Sequence, residues 1–423
     1  MTGRTMAEKI FSRVAGKEVH AGEFVEVSPD WTFSLDDGIG LIEKYLAKHG
    51  ISKLAHPERI VLFFDHYAPA DTPLHGTIHR SGRLFGKRHG IFRLHDVGDG
   101  ISHQVAVETG LVQPGQVVVN TDSHTMTVGA VSAMGMGIGA SEMAFLMATG
   151  RLWFRVPVTL KVNLTGSLAP WSTAKDAILC LIRALTARGA TYRVVEFGGE
   201  ALASLDMASR MTLCNMATEL GAKSSMIEPD AVTAAHFAAL GQSELPSLVR
   251  PDGDCQYEAT HTLDLSAVQP MVARPHRVDN VVAAGELKDV TINQAFLGTC
   301  TNGRYEDLAV AAQILKGRRL APGVRMIVTP ASREVYRRAI RSGVLEILAD
   351  AGCTVTTAGC GACAGMHQGA LGDQEICISS SSRNFLGRMG NRTALVYLGS
   401  PATVSASAVT GRITDPRELA TTH

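Results

Sequence analysis

Residues 292–316, INQAFLGTCTNGRYEDLAVAAQILK, decide how this chain folds. An apolar run over 292–298 closes on Gly298-Thr-Cys300, and apolar residues at helical spacing follow over 306–316. That order predicts a strand, a turn carrying a thiol, and a helix. Strands and helices are expected to go on alternating at 324–329, 332–350, 353–357, 375–380, 394–398 and 401–410. Repeated strand–helix units imply a mostly parallel sheet covered on both faces.

The turn after 353–357 holds Cys360-Gly-Ala-Cys363. Two thiols at that spacing can grip one metal or cluster from a single tight turn, and Gly359 and Gly361 permit the backbone conformations such a turn demands. Cys300 follows another strand of the same sheet, so crossover topology brings it to the same edge. Structural zinc and electron-transfer clusters normally take four protein ligands. Three leave a position open to substrate or solvent. The other five cysteines, Cys180, Cys214, Cys255, Cys353 and Cys377, lack paired spacing and read as buried, inert thiols.

The same pattern of an apolar run ending in ionisable residues occurs upstream. Arg59-Ile-Val-Leu-Phe-Phe-Asp65-His66 stops at an acid and an imidazole, and Gln116-Val-Val-Val-Asn-Thr-Asp122-Ser123-His124 repeats the arrangement. Asp beside His orients the imidazole and stabilises its charge, which suits proton transfer near neutral pH. Between them, Gly98-Asp-Gly-Ile-Ser-His103 carries a further imidazole that alone reads as structural. Ser123 lacks the Gly-x-Ser-x-Gly surroundings of a nucleophile elbow, which argues against a hydrolase. Gly135-Met-Gly137-Ile-Gly-Ala140 matches a dinucleotide fingerprint, but Leu160 and Lys161 stand where the ribose-binding acid belongs, so it reads as close helix packing.

Strict alternation over 156–164 predicts a half-exposed strand opening a second domain. Thr173 with Asp176 three residues on marks a helix start, 192–197 reads as a strand carrying Glu196, and 207–220 as a helix closed by Gly221. On its own Glu196 reads as a surface carboxylate. Ala273-Arg-Pro-His-Arg277 is a linker candidate. Finally, Ser379-Ser-Ser-Ser-Arg383-Asn-Phe-Leu-Gly-Arg388 places two guanidinium groups after a strand, suited to a di- or tricarboxylate. The fold class is α/β, with domains expected at 1–157, 158–275 and 276–423.

Forty Lys+Arg balance forty Asp+Glu. That leaves no electrostatic footprint for nucleic acid or an anionic membrane and favours a small-molecule ligand. No apolar run approaches the roughly 20 residues of a membrane span. The N-terminus lacks a signal-peptide core, and Ala7, Ile10, Phe11 and Val14 predict an amphipathic helix there. A cytoplasmic location is expected.

Nine ordered stretches, FFDH (63–66), GDGISHQ (98–104), VNTDSHT (119–125), GIGASE (137–142), VVEF (194–197), MTLCNMATELGA (211–222), LGTCTNGRYEDL (297–308), GCGACAG (359–365) and SSRNFLGRMG (381–390), resemble the 3-isopropylmalate dehydratase and homoaconitase large subunits of the aconitase superfamily. The resemblance covers nearly the whole chain and implies three α/β/α domains without the family's swivelling domain. It implies that Cys300, Cys360 and Cys363 hold a 4Fe-4S cluster whose fourth iron is open to a hydroxy acid. Asp65, His66, His103, Asp122, Ser123, His124 and Glu196 would then handle water and protons, with Arg383 and Arg388 clamping substrate or positioning the site.

The implied activity is a hydro-lyase of leucine biosynthesis or a related step, acting on isopropylmalate or on a homocitrate-type, methylmalate or dimethylmalate substrate. The carbon-bound proton would be taken by a serine in a Gly-Ser-Ser-Arg-type loop, absent from this sequence and expected on a separate small subunit. A cluster-free RNA-binding relative and a structural zinc protein are the alternative classes. Two departures are visible: Ser382 stands where the family usually has Asn, and Ala362 replaces a commonly larger or cyclic residue.

Overall fold

The computed structural model describes residues 3–242, 244–245 and 248–420. Three large sheets organise them, beside a two-stranded antiparallel ribbon of Phe24–Val27 and Leu152–Arg155. The first is five-stranded and parallel, in the order Arg93–His95, Ile60–Phe63, Trp31–Leu35, Val117–Asn120, Met134–Gly137. The second is four-stranded and parallel, in the order Ser224–Ile227, Val194–Gly198, Thr159–Thr165, Ala259–Asp264. The third has seven strands, of which Leu395–Leu398, Ile376–Ser379, Gln294–Gly298, Arg325–Thr329 and Thr354–Val355 run parallel. Met271–Ala273 and Val281–Ala283 extend it antiparallel.

Apolar runs form these strands because both sheet faces are covered. In Ile60–Phe63, Val61 and Phe63 join one core while Ile60 and Leu62 join another. In Gln294–Gly298, Phe296 faces the first core and Ala295 and Leu297 a third. The first of these cores contains Phe63, Phe197 and Phe296, one residue from each sheet, so the sheets are fused through a shared interior. The seven-stranded sheet begins at Met271–Ala273, a few residues ahead of the boundary expected at 275.

Three local expectations are corrected. The strand expected to be half-exposed is Thr159–Thr165, and its residues 159–162 are all buried. The N-terminal segment covers it, with Thr159 Oγ1 donating to Thr5 Oγ1 at 3.4 Å, and Lys161 turns its ammonium to Glu228 while its stem stays inside. The region 332–350 is two helices, Arg333–Arg341 and Val344–Ala351, because Gly343 between them adopts φ +75°. Gly135 and Gly137 belong to a strand, Met134–Gly137, rather than to helix packing. A Cβ on Gly135 would stand 2.2 Å from the Thr125 carbonyl oxygen, which explains the glycine. The N-terminal helix, Met6–Ala15, buries Ala7, Ile10 and Phe11 as its spacing predicts. Among the described residues, no helix is long and apolar enough to cross a membrane.

Candidate active site

The site lies where carboxyl ends of strands from the first and third sheets meet a helix of the second. Asp65 and His66 follow Ile60–Phe63, and Asp122, Ser123 and His124 follow Val117–Asn120. Cys300 follows Gln294–Gly298, Cys360 and Cys363 follow Thr354–Val355, and Arg383 follows Ile376–Ser379. These are the strand ends at which open α/β sheets bind ligands.

All three cysteines are buried, at 6%, 8% and 6% exposure for Cys300, Cys360 and Cys363, and all are free thiols. Their backbones are held in uncommon conformations. Thr299, just before Cys300, has φ +73°, a left-handed value that a β-branched residue rarely adopts. Gly361, between the other two, has φ +55°, and a Cβ there would meet Thr329 Oγ1 at 2.5 Å. Strain of this kind persists only where surrounding structure enforces it, and it gathers at functional sites.

Two polar side chains reach the sulfurs: Asn215 Nδ2 donates to Cys300 Sγ at 3.2 Å and Arg388 Nη2 to Cys363 Sγ at 3.3 Å. Such bonds stabilise thiolate and tune a bound metal. Burial pushes the Cys300 thiol up to about 12 and raises Cys360 as well, so neither ionises readily without a cation to bind.

Around the thiols stand the expected imidazoles. His66 Nδ1 bonds Asp65 Oδ1 at 2.7 Å, and Asp65 Oδ2 accepts the Ser102 backbone N–H at 2.9 Å. The backbone N–H of Cys360 donates to the Asp65 carbonyl at 2.9 Å, tying the first sheet to the thiol turn. The His66 ring lies 4.0 Å from Asp122 Oδ2 and about as close to Cys360 Sγ. Burial works against its charge, but Cys360 and Asp65 outweigh burial and raise His66 well above its usual value.

Asp122 accepts the His124 backbone N–H at 2.6 Å. Burial would raise Asp122, yet His124, His103 and His66 together hold it well below the usual carboxylate range. His103 is fully buried, and burial takes it down to about 4. Its Nδ1 is 3.4 Å from Ser102 Oγ, which accepts from Asn120 Nδ2 at 3.1 Å, while Nε2 has no partner. We assign the serine hydrogen to Nδ1 and the ring hydrogen to Nε2.

The structure also places residues that sequence reading left without a role. Glu219, in the turn after helix Met207–Met216, accepts from Arg383 Nε at 2.7 Å and lies 3.4 Å from His124 Nε2. Arg383 Nη2 donates to Ser123 Oγ at 3.0 Å, so Ser123 helps seat the guanidinium. Asp36 is fully buried and accepts the backbone N–H groups of His66 and Tyr67 at 3.2 and 2.9 Å and bonds His79 Nε2 at 3.1 Å. Asn215 and Glu219 stand four residues apart in a mostly apolar segment, the spacing of one helix face. That polar pair was the available signal.

Glu196 is placed apart from this cluster. It is fully buried, accepting the Ala7 backbone N–H at 3.0 Å and the Tyr257 hydroxyl at 3.3 Å, hydrogen bonds that involve neither the histidines nor the thiols. It is therefore no surface carboxylate. Arg388 serves a thiol rather than standing free, and its Nε is buried without a partner. Ser382 is buried with its hydroxyl unpartnered, and Ala362 is fully buried. Of the remaining cysteines, Cys214 and Cys377 are buried and Cys180, Cys255 and Cys353 half-buried.

The profile described as "Aconitase family (aconitate hydratase)" matches residues 83–289 and 283–411. The 3-isopropylmalate dehydratase large subunit 1 of Methanopyrus kandleri is 46% identical over 98% of this chain and 99% of its own length. The homoaconitase large subunit of Thermus thermophilus is 45% identical over 99% of this chain and 98% of its own. The crystal structure of Thermococcus kodakaraensis aconitase X in its holo-form superposes with a TM-score of 0.50 at 12% identity, covering 89% of this chain and 88% of that one, a likeness of fold. On the profile match and these near full-length relatives, the chain belongs to the aconitase family.

Proposed function

We propose that the chain is the large subunit of a cytoplasmic iron-sulfur hydro-lyase that moves a hydroxyl between adjacent carbons of a substituted malate, 3-isopropylmalate first among the candidates. The observation that carries the proposal is the set of three buried thiols facing two Asp–His pairs and a guanidinium. The names of the relatives support the substrate class and a small-subunit partner.

The residues fit a three-thiolate cluster. The donor set is all sulfur, Asn215 and Arg388 hydrogen-bond two of the sulfurs, and the three thiols do not form a group within 4.8 Å of one another among the described residues. A single zinc with bonds of about 2.3 Å would draw its thiolates closer than that. When bound, a 4Fe-4S cluster held by Cys300, Cys360 and Cys363 supplies a Lewis-acidic iron with one open position.

The chain's own residues provide the rest. Asp65 fixes the His66 ring and stabilises its charge. Neutral His103 offers its Nε2 hydrogen to a departing hydroxyl, and burial keeps competing water away. Arg383, with Nε and Nη2 engaged, retains guanidinium hydrogens for a substrate carboxylate. The base that removes the carbon-bound proton is assigned to the small subunit.

Anaerobic co-expression with the small subunit, followed by iron and sulfide analysis and a panel of isopropyl-, methyl- and dimethylmalate and homocitrate, tests the proposal. Turnover of one panel member with four irons and four sulfides per chain is expected. Zinc without sulfide, or RNA binding without turnover, would overturn it.

A further inference from the structure

Lys175 is the one fully buried lysine ammonium described here that has no carboxylate within ion-pair distance. It sits in helix Ala174–Leu185 of the second domain, and its Nζ donates to two successive carbonyls of the third, Ser380 O at 2.9 Å and Ser381 O at 2.6 Å. Its other neighbour is Met216 Sδ at 3.9 Å. We propose that Lys175 is the positioning residue for the turn 380–383, gripping its carbonyls from behind and so aiming Arg383 across the site.

Isolating an ammonium from water is costly unless its hydrogens find partners, so its retention calls for a purpose. The turn supplies one. Two residues after the gripped carbonyls, Arg383 crosses to Glu219 and Ser123, joining all three domains at the substrate side. The turn is also held by its hydroxyls, through Gly298 N–H to Ser380 Oγ at 3.0 Å and Ser379 Oγ to Ser381 Oγ at 2.7 Å. These bonds fix the turn to its own sheet. Lys175 alone fixes its carbonyls to the helix that packs on the Glu219 segment. Even as a neutral amine it keeps two N–H donors, one for each carbonyl.

The kinetic part of the test rests on the dehydratase reading, and the exchange part does not. In the cluster-loaded complex with its small subunit, Lys175→Met is expected to raise KM for the malate substrate by about tenfold to a hundredfold while kcat changes less. Amide hydrogen exchange over 379–385 is expected to quicken, with iron content unchanged. In an Arg383→Gln background, adding Lys175→Met should raise KM little further, because the effect passes through that arginine. Additive losses, a fall in kcat at constant KM, or unaltered exchange would each overturn the proposal. Should Lys175→Met fail to accumulate, Lys175→Gln, whose shorter side chain keeps an amide donor, is expected to show the same changes in smaller measure, and no change in either KM or exchange would overturn the proposal. A wild-type complex that turns over no panel substrate yet shows quickened exchange in the variant sinks the dehydratase reading and leaves the positioning role standing.

Discussion

Glu219 holds two partners at once, the Arg383 guanidinium and the His124 ring. Replacing it by Gln keeps the volume and removes the charge that the guanidinium and the ring face. Glu219→Gln is expected to lower kcat/KM by about a hundredfold in the cluster-loaded complex, measured by steady-state kinetics on the preferred malate. This residue also marks a limit of sequence reading. The thiol and Asp–His positions were legible because apolar runs ending in ionisable residues announce strand ends. Asp36 was not, and Asn215 and Glu219 showed only their four-residue spacing, because their roles come from which distant element folds against them. VVEF offered a carboxylate at a strand centre, Glu196, and only the fold shows that it faces Ala7 and Tyr257 instead.

At the scale of elements, the helix Met6–Ala15 begins against that same buried carboxylate. Burial, opposed by the Ala7 N–H, Lys161 and the Tyr257 hydroxyl, pushes Glu196 up to about 7. The folded chain thus binds this proton more tightly than the unfolded chain does. Its contribution is whole below the ordinary carboxylate value and is lost as pH rises through about 7, by at most about 3 kcal/mol. The wild-type melting temperature should therefore fall between about pH 5 and about pH 8.5 more steeply than that of Glu196→Gln, whose amide can serve both partners without charge. The thiol turn offers a second test. Gly361→Ala forces a left-handed alanine into contact with Thr329 and is expected to cost about 2 kcal/mol or more. Iron per chain after anaerobic reconstitution should drop while the circular dichroism of the remainder is kept. Strand and helix positions in the third sheet were readable because their apolar runs are continuous. The break at Gly343 was not, since one glycine inside a helical pattern is ordinarily tolerated.

Across the whole molecule, Arg304 is the common fastening. Buried, it donates to Gln104 Oε1 and Thr212 Oγ1, both at 3.1 Å, to Thr301 O at 2.7 Å and to Cys300 O, and so ties together segments that lie far apart along the chain. Arg304→Met leaves those acceptors without their donor, and a loss of at least about 3 kcal/mol is expected, read as a lower midpoint in urea. The isolated chain is expected to show little turnover until the small subunit is added, checked by titrating one against the other at constant cluster content.

The convergence of three sheets on one set of thiols also bears on how such a chain matures on the ribosome. Cys300 emerges long before Arg388, whose guanidinium faces Cys363, and before Ser380 and Ser381, whose carbonyls Lys175 grips. A nascent chain that has reached Cys363 but not Arg388 holds all three thiols without the guanidinium that faces one of them.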